Sequence, residues 1–193
     1  MAQRVEKTYF PDDDGYRCHA WIEGDVERCR VSCMRVMKIL RERPWVMGKL
    51  DEVEMNSLDD SLGIDLFVPM DSELVSFLGI QNVRGGIPFQ IKSSHRNCSK
   101  FVYKHGLFDN GRFCLPNNEY FFVLNGLDAE EIILANMVGQ MVGLGTLKEL
   151  SEESVLEYLV KIGDLRMVNS YVEQKEILKE CAWYLYNRER IWE

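Results

Sequence analysis

The chain has 193 residues, 46% of them hydrophobic and 28% charged, and carries a net charge of −8. That length suffices for one sizeable core, and an aromatic content of 11% excludes a disordered chain. No apolar run is long enough to cross a bilayer, and no apolar signal-peptide core follows the polar stretch Met1–Lys7, so a soluble, cytoplasmic protein is expected.

The elements follow in chain order. The Pro11-Asp12-Asp13-Asp14-Gly15 cluster is a turn. Residues 23–43 read as an amphipathic helix, because Val26, Cys29, Cys33, Val36, Met37 and Leu40 recur at helical spacing. Asp25 suits its N-cap, Arg41 and Arg43 suit its C-terminal end, and Pro44 stops it. Residues 46–56 are expected to form a first strand, imperfect because of Gly48 and the acidic Asp51, Glu52 and Glu54. After a turn at Leu58–Ser61, Gly63–Val68 is a strong strand ended by Pro69. A long connection at 70–86 holds Leu74, Val75, Phe77, Leu78 and Ile80, and closes on the turn Arg84-Gly85-Gly86. Ile87–Lys92 is the third strand, with Pro88 near its start where a missing donor is tolerated.

Residues 94–105 are a helix or loop carrying basic side chains, and Pro116-Asn117-Asn118 is a turn. Glu119–Leu124 reads as a strand with the continuous apolar run of a buried central position. Asn125-Gly126 turns the chain, and Glu131–Ala135 starts another strand or a helix reaching Val142. Gly139, Gly143 and Gly145 are spaced unlike a dinucleotide loop and suggest a hinge. The tail, 151–192, is helical. Ser151 caps a first helix whose apolar face is Val155, Leu156, Leu159 and Val160, with Gly163 at its end. A second helix carries Ile177, Leu178, Cys181, Ala182 and Leu185, followed by an aromatic terminus.

The fold class expected from this order is α/β: a mixed central sheet flanked by helices in 1–150, with a C-terminal helical pair, 151–193, packed on the same domain. The scattered cysteines Cys18, Cys29, Cys33, Cys98, Cys114 and Cys181 contain no CxxC and read as reduced thiols. A zinc site from Cys18, His19, Cys29 and Cys33 has a spacing unlike common zinc modules. The overall acidity opposes non-specific nucleic-acid binding. Residues 92–112 run against it, with Lys92, Arg96, Lys100, Lys104 and Arg112 facing Asp109 alone, and His95 and His105 in addition. The histidines read as surface or capping residues.

Two strands carry polar groups that suit phosphodiester chemistry. Asp65 interrupts a short apolar strand, a costly position unless the carboxylate is paired or binds a metal. Gln90 and Lys92 project to one face of the next strand, because strand side chains alternate. A hard cation such as magnesium accepts carboxylate and carbonyl oxygens. A buried Asp65–Lys92 ion pair is the plain structural alternative.

The stretch GIDLFV at 63–68 followed by FQIKSS at 89–94 resembles the Asp…(Glu/Gln)-x-Lys signature of the PD-(D/E)xK, or restriction-endonuclease-like, nuclease superfamily. The resemblance covers roughly residues 23–125, by the order of elements, and rests on a short motif. It implies a Mg2+- or Mn2+-dependent endonuclease hydrolysing DNA, with RNA as the other possible polymer, in repair, recombination or defence. Asp65 would then ligate the metal, with Gln90 through its amide oxygen and Ile91 through its carbonyl. Lys92 would activate the attacking water, and Glu27, with Glu23 behind it, would add a carboxylate from the first helix. Ser93, Ser94, Arg96, Lys100 and Lys104 would contact phosphates. Relatives often dimerise, so a homodimer through the aromatic C-terminal helices is a further expectation. Gln90 replaces the commoner acidic residue and leaves one negative charge fewer. With the overall acidity, that favours a second reading, a catalytically inactive module of the same fold that binds nucleic acid or assembles with protein.

Overall fold

A computed structural model describes residues 23–54, 63–80, 85–95, 98, 122–145 and 148–186, without the side chains of 23–26 and 179–186. Among the described residues the elements are α1 (Glu23–Arg41), β1 (Asp51–Glu52), β2 (Leu66–Val68), α2 (Ser72–Leu78), β3 (Ile87–Lys92), β4 (Phe122–Asn125), α3 (Glu130–Gly145), α4 (Glu152–Lys161) and α5 (Leu165–Tyr186). The four strands form one sheet in the order β1-β2-β3-β4. β1 to β3 pair antiparallel, and β4 joins β3 in parallel, so the sheet is mixed. The α/β class is as expected.

Several local expectations are corrected. The strand expected at 46–56 contracts to Asp51–Glu52, with one isolated bridge between Val46 and Met70. Gly63, expected to open the second strand, stands in a turn with φ 81°, which an extended strand does not use. β2 therefore begins only at Leu66. The connection at 70–86 contains a helix. Asp71 caps it, its carboxylate accepting from the N–H groups of Glu73 and Leu74, and Gly79 closes it in the left-handed conformation. Glu131–Ala135 is helical throughout. Gly139, Gly143 and Gly145 lie inside α3 or at its end, not at a hinge, and Gly145 packs against Val155 of α4.

Among the described residues β4 ends the sheet, where the apolar run suggested a central position. Its apolar run is still buried, because α3 covers its outer edge. There Gln140 takes the place of a fifth strand: its Oε1 accepts from the Val123 N–H at 3.0 Å and its Nε2 donates to the Val123 carbonyl at 2.9 Å. Such pairing satisfies a buried backbone that would otherwise carry a desolvation cost.

One face of the sheet presents Leu66, Val68, Ile87, Phe89, Ile91, Phe122 and Leu124 to the main core, where Phe89 and Phe122 stack at 4.8 Å. The core continues through Val36 and Leu40 of α1 and through Ile133, Leu134, Met137, Val138 and Met141 of α3. Val155, Leu159, Met167 and Tyr171 of the C-terminal helices join the same cluster. Val160 and Ile177, expected on apolar faces, are exposed, and Met167 and Tyr171 take the buried positions. No helix among the described residues is long and apolar enough to cross a membrane.

A buried polar cluster ties the two ends together. Asp164 begins α5 and accepts from the Arg43 guanidinium at 3.1 Å, the Trp45 indole N–H at 2.9 Å and the Met167 backbone N–H at 3.2 Å. Arg43 also donates to the Ile39 carbonyl at 3.1 Å. Both charges are almost wholly buried and each has partners of matching geometry, which is what a buried ion pair requires.

Candidate active site

Asp65 stands where β2 begins, and the sheet holds its backbone from both sides. Its N–H donates to the Phe89 carbonyl at 2.9 Å, and its carbonyl accepts from the Val53 N–H at 3.1 Å. The carboxylate continues the ladder that the strand leaves unfinished: Oδ2 accepts the Ile91 backbone N–H at 2.6 Å. The same oxygen accepts from the Gln90 side-chain amide, Nε2. Asp65, Gln90 and Ile91, expected together from the sequence, are thus brought together.

Gln90 is 1% exposed, an extreme value for an amide. Its Nε2 lies between two oxygens, Oδ2 of Asp65 and the Ile91 carbonyl at 3.5 Å. Its Oε1 is buried and meets no hydrogen-bond partner among the described residues. Two oxygens converging on one point, beside a third oxygen without a donor, is a donor set of the hard type that suits magnesium or manganese. Turning the amide about its last torsion brings Oε1 to that point, where a cation makes the approach favourable and two bare oxygens would repel. The residues present fit a divalent cation held by Asp65, Gln90 and the Ile91 carbonyl. Among the described residues no three His, Cys, Asp or Glu side chains gather around a metal position.

Lys92 lies two residues along β3 on the Gln90 face, half-buried, in register with Asn125 of β4. Its carbonyl accepts the Gly126 N–H at 2.8 Å, which fastens the ends of the two parallel strands. A built Cβ at Gly126 would stand 2.5 Å from the Ser32 carbonyl of α1, so only glycine allows the helix to approach here. Arg35 completes the join, donating to the carbonyls of Gly126 at 3.1 Å and Asp128 at 2.8 Å.

α1 thereby runs beside the site. Ser93 Oγ lies 4.0 Å from Cys29 Sγ. The thiol of Cys33 is pushed up to about 12 by burial, with the charges of Asp65 and Glu52 adding to the effect, so it is a protonated, unreactive group. Cys29, Cys33 and Cys98 are not disulfide-bonded, and Cys18 and His19 of the conceivable zinc set lie outside the described residues.

Glu27 is not joined to this group in the structure. It pairs with Arg30 at 3.1 Å on an exposed part of α1, roughly 200° around the helix from Cys29. The side chain of Glu23 lies outside the described residues, as do Arg96, Lys100 and Lys104. Ser93 and Ser94 are half-buried immediately beyond Lys92.

A second polar group at the carboxyl ends of β3 and β4 escapes the sequence reading. His95 Nε2 lies 3.0 Å from Asp128 Oδ1, and Asn125 Nδ2 donates to the same oxygen at 2.7 Å. The hydrogen bond to Asp128 raises the His95 pKa, against a smaller lowering by burial. The signal was present as Asn125-x-x-Asp128 after an apolar strand, but the partner histidine is over thirty residues earlier in the chain. No protein family matches the chain, and neither a curated protein nor a solved structure matches it.

Proposed function

We propose that the chain is a metal-dependent endonuclease of restriction-endonuclease-like architecture that hydrolyses DNA phosphodiester bonds, with Asp65, Gln90 and the Ile91 carbonyl as cation ligands and Lys92 as the group at the attacking water. The observation that carries this reading is the convergence of Asp65 Oδ2 and the Ile91 carbonyl on the Gln90 amide, whose own oxygen is buried without a donor. The element order supports it: a helix, three antiparallel strands with Asp65 at the second and Gln90-Ile91-Lys92 on the third, then a parallel fourth strand.

A bound Mg2+ or Mn2+ would polarise the scissile phosphate and lower the pKa of a water. The chain's own part is positional. The Ile91 N–H orients the Asp65 carboxylate, β3 fixes Lys92 on the same face as Gln90, and the Lys92 ammonium stabilises negative charge developing on phosphate oxygens. Ser93 and Ser94 stand next along the strand to contact a flanking phosphate.

One observation favours the non-catalytic reading, a nucleic-acid-binding or assembly module. Asp65 Oδ2 already accepts from two donors, so this carboxylate is satisfied without a cation. Cleavage separates the two readings. Purified protein is incubated with plasmid, branched and single-stranded DNA in Mg2+ or Mn2+, beside Asp65→Ala and Lys92→Ala. Hydrolysis by the wild type, reduced at least about 10²-fold in each variant, is the expected outcome. Absence of hydrolysis together with absence of Mn2+ binding by calorimetry transfers the assignment to the binding module.

A further inference from the structure

The charge of this chain is unevenly placed. Against a total of −8, residues 27–49 hold seven basic side chains and two acidic ones, a local net of +5. Arg43 is consumed in the buried pair with Asp164, and Arg35 is bonded to the turn after β4. Arg28, Arg30, Lys38, Arg41 and Lys49 are exposed. Arg30, Met34, Lys38 and Arg41 follow one another at intervals of three or four residues, which places them on a single stripe of α1. Met34, between the cations, is 56% exposed.

This stripe borders an open groove of about 360 Å³ lined by Arg30, Met34, Met37, Arg41 and Glu52. The groove lies at the β1 border of the sheet, beside the strand residues that hold the Asp65 backbone. Glu52 opposes Leu66 in the sheet, and the next residue, Val53, donates to the Asp65 carbonyl. Cys33, on the intervening turn of α1, lies in the field of both Asp65 and Glu52. From Arg30 to Arg41 the helix rises about 16 Å, the length of roughly five nucleotides along one strand of a duplex.

We infer that the outer stripe of α1, with Arg30, Lys38 and Arg41 as its cations, is the track on which the phosphate backbone of the nucleic acid lies as it approaches Asp65. The inference rests on a nucleic-acid ligand and not on hydrolysis. Charge complementarity selects the occupant, because Arg30, Lys38 and Arg41 stand exposed in line on one stripe of the helix, within a basic stretch that acidic residues flank on both sides. The Glu27–Arg30 contact is an exposed ion pair, and such pairs are weak enough for a phosphate to displace. Met34 offers an apolar contact for sugar edges between the charges, and Glu52 on the opposite lip keeps a second polyanion strand from settling into the groove.

Binding of a fluorescein-labelled 20-base-pair duplex, read by anisotropy in EDTA at several salt concentrations, tests the track without any turnover. The variants are Arg30→Gln/Lys38→Gln/Arg41→Gln, the charge-preserving Arg30→Lys/Arg41→Lys, and Glu52→Gln, each checked for an unchanged melting temperature. The neutral triple should bind at least about tenfold more weakly near 0.1 M salt, with the slope of log K against log salt flattened by about 0.9 per lost contact. The lysine variant should keep wild-type affinity within about threefold, and Glu52→Gln should bind more tightly. An unchanged affinity and slope in the triple overturns the track. So does a wild type that binds neither duplex nor single-stranded nucleic acid at low salt, or one that prefers polyglutamate, which would make this a face for acidic protein. Absent cleavage with this binding pattern intact removes the hydrolysis reading and leaves the track standing.

Discussion

Two buried polar clusters of this protein invite comparison. Around Asp164 every charged atom is answered: Arg43, Trp45 and the Met167 N–H converge on one carboxylate, and the guanidinium finds a carbonyl as well. Around Asp65 the answer is incomplete, because Gln90 Oε1 is buried beside the carboxylate without a donor. The closed cluster joins α1 to α5 and has nothing left to offer a ligand. The open one sits at the start of β2, on a sheet face flanked by Lys92, and keeps an acceptor in reserve. Buried polar groups are costly when unpaired, and among the described residues the Tyr158 hydroxyl is also buried without a hydrogen-bond partner; what sets Gln90 Oε1 apart is its place beside a carboxylate and a carbonyl.

Substitutions can break or sharpen this contrast. The largest effect is expected at Asp164. Asp164→Ala strands the Arg43 charge in the core and should cost about 3–5 kcal/mol in urea unfolding, whereas Asp65→Ala should cost only about 1–3 kcal/mol, chiefly the unpaired Ile91 N–H. Equal losses at the two positions would erase the distinction between a structural and a functional cluster. Next comes Gln90→Glu. It sets a second carboxylate against Asp65, so thermal stability should fall without divalent cation and recover by several degrees in Mn2+, at about 2–4 °C per kcal/mol. A melting temperature indifferent to Mn2+ in that variant would count against a cation between the two side chains.

The smallest effect belongs to His95. Its folded pKa is raised by Asp128, so its contribution to stability is present below the unfolded value of about 6.5 and is lost as pH rises through the folded value. Asp128→Asn should return the imidazole toward 6.5 in an NMR titration and flatten that pH dependence. A titration curve that does not move would show that the pair has no electrostatic consequence.

Much of this was legible in the sequence, and the failures have physical causes. The period of α1, the strand Ile87–Lys92, the Ser151 cap and the joint position of Asp65, Gln90 and Ile91 follow from local pattern. β4 ends the sheet among the described residues although its apolar run suggested a central place, because such a run reports burial, and Gln140 allows an end strand to be buried. α2 went unread because seven residues with three buried side chains give too short a period to see, although Asp71 and Gly79 bracket them. The Asp164–Arg43 pair joins residues 121 apart, and no spacing rule reaches that far. Glu27 and Arg30 show the converse: a local ion pair on the helix surface competes with the role that order along the chain suggests.

The side chain of Gln140 has a consequence for how copies of this protein can meet. By occupying both backbone groups of Val123 it mimics the main chain of a neighbouring strand, while the Asn125 carbonyl is taken by the Asp128 N–H. A sheet grows by recruiting strands to unpaired edges. This border is already spoken for, and the opposite one, β1, offers only two acidic residues. Among the described residues, growth through the sheet is thereby blocked at Val123 on one border and discouraged by charge on the other. Leu165 and Val172 on α5 are exposed as well, but on a helix, whose backbone groups are already paired and cannot recruit a strand.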